Sequence, residues 1–190
     1  MHKPVVVALF MLLFTSLPAS AQKVQGVEIP DTLSVSAEDS MLVLNGAGIR
    51  EKFFLDIYIG ALYLPSATAD ATAILTDTAA ASVLMHFLHS KVSREKIIAG
   101  WQDGLEANLS AAQLAALQPR LDRFNKLFTS VGTGDVIRID YSAARGTEVR
   151  INNELRGAVE GNDFFRALLQ VWLGPSPVSK VLKNSMLGLV

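Results

Sequence analysis

The chain has 190 residues, 50% of them hydrophobic and 18% charged, with 13 Gly, 7 Pro and a net charge of −1. That is enough for one domain with a real core, too little for two large ones, and too apolar for a disordered or low-complexity chain. The 17 Lys and Arg are scattered, which argues against a nucleic-acid partner, and the absence of Cys excludes disulfides, thiolate nucleophiles, Cys-ligated metal and a lipid-modified Cys.

The N-terminus reads as a targeting segment. Lys3 precedes the apolar run Val5 to Phe14, and Ala19-Ser20-Ala21 has the form of a cleavage site. The run is about half of the roughly 20 residues needed to span a bilayer, so a secretory signal peptide over 1–21, cut after Ala21, is expected. The expected product is an exported, periplasmic or secreted domain over 22–190 with no integral membrane segment.

Val24 to Val35, punctuated by Gly26 and Pro30, predicts short extended pieces at a sheet edge. Met41 to Leu44 reads as a strand running into Asn45-Gly46-Ala47-Gly48-Ile49-Arg50, where the glycines suit a bulge or corner. Phe53 to Leu64 is the strongest strand signal: Phe53, Leu55, Ile57, Ile59, Ala61 and Tyr63 share one face, and Phe54, Asp56, Tyr58, Gly60, Leu62 and Leu64 the other. A short helix is expected over Asp70 to Leu75. Ser82 to Leu88, apolar on both parities, reads as a central strand covered on both sides.

Ser93 is placed to cap a helix with Ile97, Ile98, Trp101, Leu105 and Leu109 as its apolar stripe, and Arg94, Glu95, Gln102, Asp103 and Glu106 toward water. Ser110 and Gln113 form a capping box for a second helix, in which Pro119 should cause a kink or split. Asp135 to Tyr141 and Thr147 to Ile151 alternate as strands with one wet face each, and Asn152-Asn153 is a tight turn. Asn162 is expected to cap a helix ending at Gly174, before a last short helix over Ser179 to Leu187. Strands first, with helices in the middle and at the end, give an α+β domain: a large antiparallel sheet with helices on one face.

Motifs exclude more than they assign. His86 and His89, three apart along a strand, project to opposite faces and do not share a metal ion. There is no Gly-x-Ser-x-Gly elbow. Asn45-Gly46-Ala47-Gly48 lacks the third glycine of a dinucleotide loop, at Glu51, and leads into a strand rather than a helix, so no cofactor is expected. What remains is Arg50, Lys52, Asp56 and Tyr58 on an otherwise apolar segment. Asp56 and Tyr58, two apart on one strand face, would emerge roughly 7 Å apart. Arg50 and Tyr58 together would suit a carboxylate or phenolate in an apolar cleft. Equally, Arg50 could bridge to Asp56 while Tyr58 simply covers the sheet.

The chain resembles the bacterial chalcone isomerase-like family. The resemblance is carried by Leu42 to Phe54, Tyr58 to Leu64, Gly104 to Asn108 and Asn162 to Leu169 leading to Trp172-Leu173-Gly174, and it spans about Val27 to Leu187. It implies an open-faced β-sandwich with a ligand cleft between the sheet and a helical layer. In the plant enzymes a Gly-Ala-Gly-x-Arg motif supplies the Arg that stabilises the oxyanion as a phenolate adds across an enone, and Arg50 falls on it. Tyr58 falls nearest the catalytic Thr, while Lys96 and Asp103 stand near the plant active-site Tyr and Asn. Those departures point away from cyclisation and toward the fatty-acid-binding relatives, in which an Arg and a Tyr hold a carboxylate above an apolar pocket. The expected ligand is thus small, apolar and anionic at one end, held by Arg50 and Tyr58 with Phe54, Leu62, Lys96 and Trp101 around it. Two alternatives stay open. One is an intramolecular lyase or isomerase in which Arg50 stabilises an oxyanion; the other is an interaction protein whose cleft is filled by its own side chains.

Overall fold

The computed structural model describes residues 21–35, 41–77 and 79–190. Apart from Ala21, the expected signal peptide lies outside the described residues. The elements are β1 (Ala21–Val24), β2 (Val27–Pro30), β3 (Thr32–Leu33), β4 (Leu42–Lys52), β5 (Leu55–Leu64), α1 (Ala71–Asp77), β6 (Ala80–Phe87), α2 (Arg94–Glu106), α3 (Ala111–Asn125), β7 (Val136–Ser142), β8 (Gly146–Ile151), β9 (Glu154–Val159), α4 (Asn162–Leu173) and α5 (Lys180–Met186). Strands β3 to β9 form one seven-stranded antiparallel sheet in chain order, with β6 at its centre, while β1 and β2 pair as a separate hairpin. The helices pack on one face, as the strand and helix order implied. The other face carries a smaller apolar cluster, in which Ile29 and Val27 of β2 meet Ile59, Ala61 and Tyr63 of β5.

Two expected boundaries shift. The strand expected from Phe53 to Leu64 contains a hairpin turn at Phe53-Phe54, because both residues have positive φ. The preceding Asn45–Arg50 stretch is not a corner but the middle of β4. Its glycines serve close approach as well as a bulge. The register shifts between Leu44 and Gly46, leaving Asn45 as an extra residue in β4. The Asn45 side chain then donates to the Met186 carbonyl at 2.8 Å and accepts from Thr68 N at 2.7 Å. A Cβ on Gly46 would lie 2.1 Å from the Ser185 carbonyl oxygen, and one on Gly48 would lie 2.4 Å from Ser185 Cβ. The loop-like motif is a seat for α5.

The capping box of α3 is present as expected, with Ser110 and Gln113 bonded reciprocally. Pro119 does not split that helix, which runs unbroken from Ala111 to Asn125. The carbonyl that Pro119 leaves without a helical donor belongs to Ala115, and both residues are exposed, so the break lies on the solvent side of the helix. At α4 the N-cap is Gly161, at φ +104°, rather than Asn162. Its first turn is held by Asp163, bonded twice by Arg120 at 2.5 and 2.7 Å.

The wet faces expected of β7 and β8 are a correction of a different kind. Asp140 is fully buried and Glu148 nearly so. Arg138 donates to Asp140 at 2.7 Å, Ser82 donates to it at 2.6 Å, and Arg150 lies 3.5 Å from both carboxylates. Alternation reveals a polar face but not whether water or neighbouring strands satisfy it; here the strands do.

Gly46→Ala should displace α5 and destabilise the protein by about 1–3 kcal/mol, the range for overpacking a filled site. A urea midpoint equal to that of the wild type would show that α5 does not seat on β4.

Candidate functional site

Strands β4 and β5 are not in simple register. Lys52 pairs with Leu55 and Glu51 with Asp56, but Arg50 pairs with Tyr58, so Ile57 is an additional residue bulged out of β5. Its carbonyl is held from the far side by Leu88 N at 2.9 Å and His89 N at 3.2 Å. Without the bulge Ile57 would stand opposite Arg50 and Tyr58 would turn to the other face. With it, Arg50 and Tyr58 are direct cross-strand neighbours on the helix side. Asp56 is thereby sent away from them, to accept from Gln25 of the β1–β2 hairpin at 2.7 Å. The expected sharing of one face by Asp56 and Tyr58 is therefore corrected, and so is the Arg50–Asp56 bridge. Arg50 instead donates to the neighbouring Glu51 carbonyl.

Arg50 and Tyr58 both line a cavity of about 450 Å³ between the sheet and α2. Its apolar walls come from Ile57 and Tyr58 of β5, Met85 and Phe87 of β6, Ile97 and Trp101 of α2, and Val171 and Val178 at and after α4. The helices reach this position through one close contact: a Cβ on Gly104 would lie 2.8 Å from Val171, so the glycine lets α2 close on α4. Trp101 is backed by Phe124, Phe128 and Trp172, all with ring centroids within 5.7 Å of its own. Its buried Nε1–H has no acceptor among the described residues.

The mouth is basic. Arg50, Lys52, Lys91 and Lys96 line it with His89, and Asp103 is the one acid of the lining among the described residues. Arg50 is half-buried, whereas Lys52, Lys91 and Lys96 are exposed. Such a site pairs permanent positive charge at its opening with an oily interior, an arrangement suited to an anionic head and an apolar body.

Tyr58 is the most constrained polar group of the site. Its ring packs on Phe87 at 5.7 Å between centroids, and Trp172 Nε1–H donates to its hydroxyl oxygen at 3.0 Å. The phenol therefore keeps its own proton to donate. Burial pushes its pKa up from 10 to about 12, against the smaller lowering by the Trp172 hydrogen bond and Arg50. Tyr58 is thus a neutral donor, not a phenolate, at any physiological pH.

Of the residues expected around a ligand, Arg50, Tyr58, Lys96 and Trp101 line the cavity, and Phe54 and Leu62 do not. Phe54 is 96% exposed because it is a turn residue. Leu62 is sealed in the core, since Leu182 of α5 covers this face of β5 from Gly60 onward. His86 lies on β6 opposite Ile59, whereas His89 lies past the strand end, at the cavity mouth. The sequence reading missed Met85, Phe87, Val171 and Val178, whose only signal was apolarity; nothing in their spacing separated wall from core.

An antiparallel sheet, a helical layer and a basic-mouthed cavity between them define an α+β sandwich with a hollow between its layers. The chain belongs to the chalcone isomerase-like family, whose model matches residues 21–188. Its fold is shared with the Arabidopsis thaliana fatty-acid binding protein AtFAP1, at a TM-score of 0.67 and 15% identity over 88% of this chain and 95% of that one. No curated protein matches it. Among the described residues no helix is long and apolar enough to cross a membrane.

Tyr58→Phe would leave the Trp172 N–H buried without an acceptor, so a loss of about 1–3 kcal/mol is expected from the urea midpoint. The folded-state pKa of Tyr58 is raised, so its contribution to stability is present in full below pH 10 and is lost as pH climbs through about 12. Unfolding measured from pH 9 to 12 should show that decline in the wild type and a shallower one in Tyr58→Phe; identical slopes would contradict the burial.

Proposed function

We propose that this protein binds a small amphipathic ligand of fatty-acid type, its anionic end on Arg50 and Tyr58 and its apolar body in the cavity beneath α2. The observation that carries this reading is the direct cross-strand pairing of Arg50 with Tyr58 on the cavity face. One brings permanent charge and the other a neutral O–H donor, which together match a carboxylate. The volume, about 450 Å³, lies within the about 300–1,000 Å³ of small-molecule sites. The fold shared with a fatty-acid binding protein agrees with it. Lys96, across the mouth on α2, adds long-range attraction for an anion and guides approach more than it holds the head, being exposed.

Calorimetry with dodecanoate tests the reading. The wild type should bind it, and Arg50→Ala should lose about tenfold or more, since a hydrogen bond to a charged group contributes about 1.5–3 kcal/mol. Dodecanol, which has no carboxylate, should distinguish the two proteins far less. A wild type that binds neither compound would end the proposal. Turnover of a chalcone by the wild type, abolished in Arg50→Ala, would replace it with intramolecular addition at the same pair.

We also propose export through a leader removed after Ala21. Lys3, the apolar run Val5 to Phe14 and the Ala19-Ser20-Ala21 cleavage form support this reading, and residues 1–20 precede the family match. Protein recovered from cells producing the whole chain should begin at Gln22 by intact mass; retention of residues 1–21 would overturn this.

A further inference from the structure

The β4–β5 hairpin turns through Phe53 and Phe54 at φ +51° and +62°. A two-residue turn of this hand needs both residues left-handed, a conformation that suits Asn and Gly and that bulky side chains disfavour. Elsewhere the chain uses such residues: Asn152-Asn153 turn β8 into β9 at +52° and +67°, and the β1–β2 turn places Gly26 at +79° after Gln25 at +47°. The phenyl rings at 53 and 54 bury little in return. Phe53 is 82% exposed and Phe54 96%, with Leu55 beside them at 52%. Backbone strain and exposed apolar surface coincide at one tip, which folding alone does not explain.

The surroundings of the tip indicate what it meets. Phe53 and Leu55 stand on the rim of the cavity, and the cations Arg50, Lys52, Lys91 and Lys96 line the same mouth. Lys52 Nζ sits 5.7 Å from the centre of the Phe53 ring. The acids nearby are Glu51, exposed on the tip, Asp56, paired with Glu51 and facing Gln25 on the other side of the sheet, and Asp103, on α2, fewer than the four cations. An aromatic point ringed by excess positive charge is complementary to a bilayer with anionic headgroups: rings enter the boundary between headgroups and acyl chains while Lys and Arg stay among the phosphates.

We propose that the Phe53-Phe54 tip docks the cavity mouth onto an anionic lipid bilayer. The cavity would then open toward the membrane, and an amphipathic ligand could pass between them without crossing water. This docking goes beyond the ligand-binding reading and does not depend on it.

The test uses Phe53→Asn/Phe54→Gly, which installs a favoured turn and should leave thermal stability equal or higher, so loss of folding does not confound it. Wild type and variant, recovered from cells producing the whole chain and matched in N-terminus by intact mass, are sedimented with phosphatidylcholine vesicles carrying one quarter phosphatidylglycerol. Expected are wild-type binding at least tenfold tighter than to pure phosphatidylcholine, weakening with added salt, and at least a tenfold loss in the variant. Equal partition of the two proteins, or no wild-type partition, overturns the proposal. So does a concentration-dependent dimer that the double substitution disperses while vesicles are ignored, since the tip would then meet a second copy. Vesicle binding without dodecanoate binding removes the ligand reading and leaves docking; the reverse removes docking alone.

Discussion

One added residue in β5 governs the site. The bulge at Ile57 shifts the pairing of β4 with β5 so that Tyr58, and not its predecessor, stands across from Arg50. Side chains alternate along a strand, so a shift of one residue exchanges the two faces of everything beyond it. On one side of the bulge Asp56 leaves for the outer surface and takes Gln25 as its partner. On the other, a guanidinium and a phenol converge on one hollow. The bulge is secured from β6, whose C-terminal loop donates two backbone N–H groups to the Ile57 carbonyl. The second bulge, at Asn45 on β4, restores the pairing sum toward the far end of the hairpin, so the strands stay aligned where they enter the core.

The remainder of the cavity follows from how closely helices approach the sheet and one another. Gly46 and Gly48 let the backbone of α5 rest directly on β4, and Gly104 lets α2 meet Val171 of α4. These contacts seal the sheet beneath α5, where Leu62 is lost to the core, and leave α2 standing off β5 and β6 at the other end. Trp101 is packed at that end against Phe124, Phe128 and Trp172, so the wall there is aromatic. Trp172 serves both layers, packing on Trp101 and donating to Tyr58.

The two faces of the sheet satisfy different demands. The helix side buries apolar residues and holds the hollow, while the outer side of β6 to β8 carries Ser82, Arg138, Asp140, Glu148 and Arg150 in a mutually bonded set. Burial raises the Asp140 pKa, and two arginines with a serine hydroxyl oppose that rise. A carboxylate there is tolerated because Ser82 and Arg138 donate to it and Arg150 stands between it and Glu148, its cross-strand neighbour.

Most of the architecture was legible in the sequence because it rests on local periodicity. The central strand around Val83 to Phe87, the stripe of α2, the capping box at Ser110 and the turn at Asn152-Asn153 need only the side-chain order along the chain. Arg50 and Tyr58 also stood out, as polar groups on an apolar stretch that resembles a family motif. Their meeting did not follow from that order. It depends on a bulge and on a turn at two phenylalanines, both of which break the alternation that strand reading assumes. Nor did the pattern separate Leu62, sealed under α5, from Phe87, open to the hollow: both are apolar residues in strands. Residue type decides which side chains leave water; the distance between packed layers, set by glycines far apart in the chain, decides which of them border empty space.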